Sequence, residues 1–152
     1  MENCRPISSS TGMTPMTGSE VFIDTDILLY TLSADNDKAD QAEAVLRAGG
    51  LISVQVLNEI LNVARHKLDM SWIEIDEVLT IIRSVCRVVP LTSDTHDRGR
   101  WIAERYGLNV YDAMIIAAAL NGGCGILYSE DMQDGMVIDD RLRICNPFNN
   151  RR

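Results

Sequence analysis

The sequence predicts an α/β domain: a mostly parallel sheet of four or five strands flanked by helices in one three-layer unit. Three observations predict it. Short apolar runs alternate with segments of helical period; no two-residue turn signal joins neighbouring runs; and one helix, Ala113 to Leu120, is apolar on nearly every side. Parallel neighbours need a long crossover, which the intervening helices supply. A helix apolar all round is one buried against the sheet.

Residues 1–19 are rich in Ser, Thr, Gly, Met and Pro without periodicity. They read as a flexible leader, or as residues ahead of a later start, since Met13 and Met16 also fit. The domain is expected over residues 20–148, with 149–152 as a tail. Val21-Phe22-Ile23 reads as the first strand, Asp24-Thr25-Asp26 as an acidic turn and Ile27 to Leu32 as a helix. Residues 37–48 read as a solvated helix closed by Gly49-Gly50, and Leu51 to Val54 as a buried strand. Apolar residues at helical spacing predict a helix over Gln55–Lys67 and another, capped by Ser71, to about Ser84. Val88-Val89-Pro90-Leu91 is the third apolar run, followed by a helix from about Asp94 to Tyr106 that Gly107 can terminate. Asp112 opens the buried helix; Gly122, Gly123 and Gly125 break it. Ile126-Leu127-Tyr128 is the fourth strand, and a weaker one spans Leu142 to Cys145, ahead of Pro147.

A chain of 152 residues, 46% hydrophobic and 24% charged, is long enough for one domain with a real core, which excludes global disorder, collagen-like repeats and dense disulfide scaffolds. The 22 acids against 14 bases leave a net charge of −8, which repels a polyanion over most of the surface and excludes a nucleic-acid-coating role. No window approaches the roughly 18 to 20 apolar residues of a membrane span, and the first 19 residues hold no signal-peptide apolar stretch; a cytoplasmic protein is expected. Cys4, Cys86, Cys124 and Cys145 form no CxxC pair, so neither a zinc site nor a disulfide framework is signalled. Buried small hydrophobes are expected instead, with His66 and His96 at helix ends or on the surface.

In a parallel sheet every strand ends at one edge, and ligands bind in the crevice outside those carboxyl ends. Asp24 and Asp26 follow the first strand, Glu59 lies in the helix leaving the second, and Asp131 comes three residues after Tyr128. Asp112, at the amino end of the buried helix, can reach the same rim. Singly, each has an ordinary account: Asp26 and Asp112 as helix caps, Glu59 as a surface glutamate bordering the apolar stripe, and Ser129 to Gly135 as a polar loop. Jointly, carboxylates gathered within a few ångströms must raise their pKa values or bind cations. With no useful His or Cys the donors are all oxygen, which suits Mg²⁺ or Mn²⁺ and metal-dependent phosphate chemistry. A Ser nucleophile lacks a base and a G-x-S-x-G elbow, and the Gly122–Gly125 stretch lacks the Lys and Ser/Thr of a phosphate loop. Ile23-Asp24-Thr25-Asp26 also echoes the aspartate pair of haloacid-dehalogenase-type phosphatases, though Ile27-Leu28 stands where those enzymes have Gly and then Thr or Val.

Taken in order, Phe22-Ile23-Asp24-Thr25-Asp26-Ile27-Leu28-Leu29-Tyr30, Gln55-Val56-Leu57-Asn58-Glu59, Tyr111-Asp112-Ala113-Met114-Ile115-Ile116-Ala117-Ala118-Ala119 and Leu127-Tyr128-Ser129-Glu130-Asp131-Met132-Gln133-Asp134-Gly135 resemble the PIN domain, specifically the VapC-like toxin ribonucleases of type II toxin–antitoxin systems. The likeness covers roughly residues 20–148. It implies a PIN-like fold with Asp24, Glu59, Asp112 and Asp131 as an acidic quartet and Ser129 as the hydroxyl residue near the last acid. Asp26 stands where the family commonly has Asn. The implied reaction is Mg²⁺- or Mn²⁺-dependent hydrolysis of an RNA phosphodiester. Asp24 and Asp112 would be the principal metal ligands, Asp131 an additional or water-mediated one, and Glu59 a ligand or the orienter of the attacking water.

RNA must still be held by an acidic protein, and 12 of the 14 bases are Arg, suited to bidentate phosphate contact. Arg98, Arg100 and Arg105 on one helix and Arg141, Arg143, Arg151 and Arg152 near the end are candidates, with Ser129, Arg98 and Arg105 the expected substrate contacts. The resemblance further implies an antitoxin partner that blocks the pocket, and a homodimer. The alternatives are an aspartate-pair phosphatase and a catalytically inactive PIN-like binding module; an idle acidic cluster would be electrostatically costly.

Overall fold

The computed structural model describes residues 20–149, so the expected leader, with Cys4, and Arg151 and Arg152 lie outside the described residues. A six-stranded sheet is built from β1 (Val21–Ile23), β2 (Gly50–Ser53), β3 (Cys86–Val89), β4 (Ile126–Tyr128), β5 (Val137–Ile138) and β6 (Leu142–Cys145), in the order β3-β2-β1-β4-β6-β5. All neighbours are parallel except β5 and β6. Between β1 and β2 run α1 (Thr25–Leu29), a 3-10 turn (Tyr30–Leu32) and α2 (Asn36–Ala48). The helices α3 (Val54–His66) and α4 (Trp72–Val85) link β2 to β3, and α5 (Ser93–Tyr106) and α6 (Val110–Asn121) link β3 to β4. From β1 through β3 the chain moves one way across the sheet; it then jumps back to β4 on the other side of β1. Right-handed crossovers in opposite directions must lie on opposite faces, so α1–α4 cover one face and α5–α6 the other. The helices pack in those two groups.

The core is the sheet's own apolar residues, Phe22, Ile23, Leu51, Ile52, Leu127 and Ile144, all buried, closed by helix residues such as Ile27, Ile60, Ile102 and Ile116. Every residue of α6 from Ala113 to Leu120 is buried, as the all-round apolar sequence requires. Gly107 ends α5 in the left-handed conformation (φ 67°), where a glycine costs least. On α5, a Cβ at Gly99 would overlap Met114 Sδ; the bare glycine lets α5 close on α6 and fixes the helix that carries Asp112. Cys86, Cys124 and Cys145 are buried, as expected of them, and His66 and His96 are exposed.

Several expectations need correction. The sheet has six strands, not four or five, and contains a hairpin that the lack of turn signals argued against: β5 and β6 are joined through Asp139 and Asp140, both at positive φ (54° and 53°). That turn is usually Asn-Gly or Asp-Gly; an Asp-Asp pair beside a two-residue strand carries little signal. The third strand lies two residues earlier than expected, at Cys86–Val89, because Pro90 has no N–H to give a ladder. Ser53 leaves β2 to cap α3 through Val56 N. Asp26 and Asp112 are not caps: Asp24 caps α1 and Asn109 caps α6 through the amides of Tyr111 and Asp112.

Candidate active site

Because β1 has β2 on one side and β4 on the other, the crossovers on the two faces diverge at its carboxyl end and leave a crevice there. Asp24 follows β1 directly. Its Oδ1 accepts from Thr25 N (2.7 Å) and its Oδ2 from Ser129 Oγ (2.8 Å). Ser129 follows β4 and also accepts from Met132 N (3.3 Å), so its hydroxyl shapes the loop and holds Asp24 at once. Asp24 is 6% exposed and Ser129 0%. Two residues on, Asp26 Oδ2 accepts from Glu130 N (3.1 Å) and Asp131 N (3.0 Å), while its Oδ1 is buried with no hydrogen-bond partner among the described residues. The next loop residue is clamped too: Glu130 accepts from Tyr30 OH (2.6 Å) and pairs with Lys38 Nζ (2.5 Å).

From the other side, Glu59 on α3 accepts from Thr25 Oγ1 (2.5 Å) and Gln55 Nε2 (3.1 Å). The Gln55 amide also reaches Tyr111 O (3.4 Å), tying α3 to the start of α6. Asp112 is the third residue of α6, where the helix dipole favours an anion. These elements enclose a cleft of about 520 Å³, lined by carboxylates (Asp24, Asp26, Glu59, Asp112, Asp131), amides (Gln55, Asn58, Asn62) and an apolar rim including Leu91 and Tyr111. Among the described residues the lining includes no Lys, Arg or His.

That concentration of acid distorts its members. Burial, with the charge of Asp26 beside it, pushes the Asp24 carboxyl up to about 8 despite its hydrogen bonds. Asp26 is raised to about 6, chiefly by burial, against the pull of the loop amides. Asp112 is raised by burial and by the charges of Asp131 and Glu59. Charge without a counter-ion and a buried carboxylate oxygen without a partner are relieved by a cation, and an all-oxygen donor set suits a hard divalent one. Among the described residues no three His, Cys, Asp or Glu side chains form a ready-made cage for an ion. Mg²⁺ does not need one, since it keeps several waters and sits on one or two carboxylates. The residues therefore fit the metal the sequence implied.

The structure brings Asp24, Glu59, Asp112 and Asp131 to this one cleft, with Ser129 beneath it. It does not bring Arg98 or Arg105 there. Arg98 binds Asn121 Oδ1 (2.6 Å) and lies 3.9 Å from Asp139, at the end of α6 away from Asp112. Arg105 lies over the rings of Trp101 (5.3 Å) and Tyr106 (5.6 Å). Sequence reasoning gave no role to Thr25 and Gln55, which hold Glu59, or to Tyr30 and Lys38, which hold Glu130. Apart from Gln55, one helical turn before Glu59, these partners lie 34 to 100 residues apart in the chain and leave no local pattern. Asp26 alone was legible, as an extra acid one helical step after Asp24.

Fold and cleft define an α/β protein with a carboxylate-lined site at the switch point of its sheet. The PIN domain family model matches residues 21–133, and the chain belongs to the PIN domain family. Solved structures share the fold at low identity. They include a toxin–antitoxin complex from Klebsiella pneumoniae (21% identity, TM-score 0.63, covering 85% of this chain and 98% of that one). VapC20 of Mycobacterium tuberculosis, a sarcin-ricin-loop-cleaving toxin, is 19% identical (TM-score 0.58, 74% and 90%), and DNA-bound VapBC from Salmonella typhimurium 18% identical (TM-score 0.60, 85% and 98%). No curated protein matches the sequence.

Proposed function

We propose that the chain is a divalent-metal-dependent endoribonuclease, the toxin of a toxin–antitoxin pair. One observation carries the reading: acids from four separate stretches of a PIN-family chain, Asp24, Glu59, Asp112 and Asp131, line one cleft that holds no cationic side chain. In this reading Asp24 and Asp112 hold Mg²⁺ or Mn²⁺, with Asp131 as an additional or water-mediated ligand. When bound, the ion would supply a polarised water and neutralise charge developing on the phosphate. Glu59, fixed at both oxygens by Thr25 and Gln55, would be a further ligand or would orient the attacking water and accept its proton. Ser129 keeps the Asp24 carboxylate oriented through its hydrogen bond. Arg98 and Arg105 stand away from the cleft lining and would hold flanking phosphates of a long substrate.

The neighbouring toxin–antitoxin and VapBC complexes support an antitoxin partner. So does α4, which leaves Trp72, Ile73 and Ile81 more than half exposed, an apolar surface suited to an antitoxin segment or to a second copy in a homodimer. Among the described residues no helix is long and apolar enough to cross a membrane, in keeping with cytoplasmic action on RNA. Residues 20–148 form the nuclease domain in this reading. The test is incubation of the purified chain with total cellular RNA, with Mg²⁺, Mn²⁺ or chelator. The expected result is discrete cleavage with either metal and none with chelator. Release of phosphate from small phosphate esters without RNA cleavage would point to the aspartate-pair phosphatase, and RNA binding without turnover to a docking module.

A further inference from the structure

Resting on the ribonuclease reading, the geometry points to a nucleobase subsite at the mouth of the cleft: Tyr111 as a stacking platform, with the Asn58 and Asn62 amides reading the edge of an unpaired base beside the scissile phosphate. The first argument is electrostatic. Among the described residues five carboxylates and no Lys, Arg or His line the cleft, so a polyanion gains no side-chain cation from them, and the uncharged lining must supply the remaining attraction. The second is exposure. Tyr111 is 66% exposed although the helix it begins is buried from Ala113 to Leu120, and Leu91 on the same lining is 45% exposed. An aromatic ring left open next to Asp112 offers a π-face to any base, worth about 1–3 kcal/mol per stacked base.

The third argument is the amide row. Gln55, Asn58, Glu59 and Asn62 share one face of α3 by helical spacing and all line the cleft. Gln55 is occupied by Glu59 and Tyr111 O. Asn58 and Asn62 are exposed. Each amide carries a donor pair and an acceptor, the complement of a base edge. In a duplex that edge is already paired and both base faces are stacked, so only a splayed, single-stranded nucleotide can use the ring and the amides together. The substrate class is therefore RNA with an unpaired base at the cut.

Two measurements on the full chain in Mg²⁺ test this, the binding one with Asp112→Asn added to every protein so that no RNA is cut during the titration. Anisotropy titrations use a labelled 12-nucleotide single-stranded RNA pool of random sequence and a matching abasic ribose-phosphate strand. Tyr111→Ala should weaken binding of the RNA pool roughly tenfold, Tyr111→Phe should stay near wild type, and the abasic strand should bind all three proteins equally. In parallel, the RNA cut by the wild type is supplied as an oligonucleotide spanning the cut. Tyr111→Ala should raise KM far more than it lowers kcat, and Asn58→Ala with Asn62→Ala should change the base preference at the cut. Cleavage with KM indifferent to Tyr111 overturns the subsite and leaves the ribonuclease standing. Tyr111-dependent binding of the base-bearing strand alone, without any cleavage, upholds the subsite and overturns hydrolysis. Equal loss for abasic and base-bearing strands overturns stacking, and a Tyr111→Ala defect confined to capture of a partner protein assigns the ring to that partner.

Discussion

The wall of the cleft built from β1, α1 and the β4 loop differs from the wall presented by α6 in how its acids are held. On the first, Asp24 is buried and accepts two hydrogen bonds, and Asp26 anchors two loop amides. On the second, Asp112 is partly exposed and its carboxylate is held by no hydrogen bond among the described residues. Acids on the first wall also organise the sheet edge, so changing them perturbs structure and chemistry together. Asp112 has little structural duty, so a change there isolates the chemistry. The difference matters because an activity loss at Asp24 alone would not distinguish a lost ligand from a misplaced loop.

The largest expected effect uses that contrast. Asp112→Asn should reduce RNA cleavage by on the order of 10²–10³-fold, with the melting temperature of the metal-free protein unchanged or slightly raised, because a repulsive charge near Asp131 and Glu59 is gone. Asp24→Asn should lose as much activity yet keep the fold, since an amide can still accept from Thr25 N and Ser129 can turn its hydroxyl to accept. Asp24→Ala removes both bonds and leaves Ser129 and the Thr25 amide short of a partner, a cost of about 1–3 kcal/mol to be read in denaturant melts. Equal activity in Asp112→Asn and wild type would remove α6 from the site.

Next in size is a pH effect that should appear on one wall and vanish with metal. Asp24 and Asp26 carry folded-state pKa values raised from 3.8 to about 8 and about 6. Between pH 4 and pH 8 the folded chain thus holds protons that the unfolded chain has released, and stability falls as pH rises through that window. In chelator the melting temperature should drop from pH 5 to pH 8.5. Saturating Mg²⁺ should raise it most at the high end, where the ion no longer competes with protons. Asp24→Asn should flatten much of the chelator slope; a slope unchanged by that substitution would place the buried charge elsewhere.

The same contrast explains what could be read from the chain. The acids of both walls were legible because each follows a strand or opens a helix, and parallel topology carries those places to one edge. The alternation of apolar runs fixed five strands and their crossovers for the same reason. What holds the acids was not legible: Thr25 to Glu59, Lys38 to Glu130 and Ser129 to Asp24 are bonds between residues that only the folded sheet makes neighbours. That Arg98 and Arg105 stand outside the cleft lining was not legible either, because arginines on a helix carry no sign of which end of the molecule they face. The β5–β6 hairpin was missed because its turn is made by two aspartates at positive φ.

A smaller effect concerns the clamp on the β4 loop. Lys38 and Tyr30 grip Glu130, and its neighbour Asp131 lines the cleft. Lys38→Met should lower cleavage roughly tenfold through displacement of Asp131, with Lys38→Arg restoring it. The melting temperature should move little, since a partly exposed ion pair at the surface contributes little to stability. A fall in activity that tracks a fall in melting temperature, without rescue by arginine, would make the clamp structural only.

The smallest effect tests whether the arginines act from outside either wall. Arg105 is exposed and braced on two rings, and Arg98 is shared between Asn121 and Asp139, so neither can touch a phosphate at the acids, whereas a long RNA crossing α5 could reach both. Each phosphate contact contributes about one unit to the dependence of log affinity on log salt. Arg105→Ala should lower that slope by about one unit with kcat intact. Arg98→Ala should lower it less, because its guanidinium must first leave Asn121. An unchanged slope in both variants would confine RNA contact to the cleft, where ring, amides and metal would have to carry the whole of the affinity.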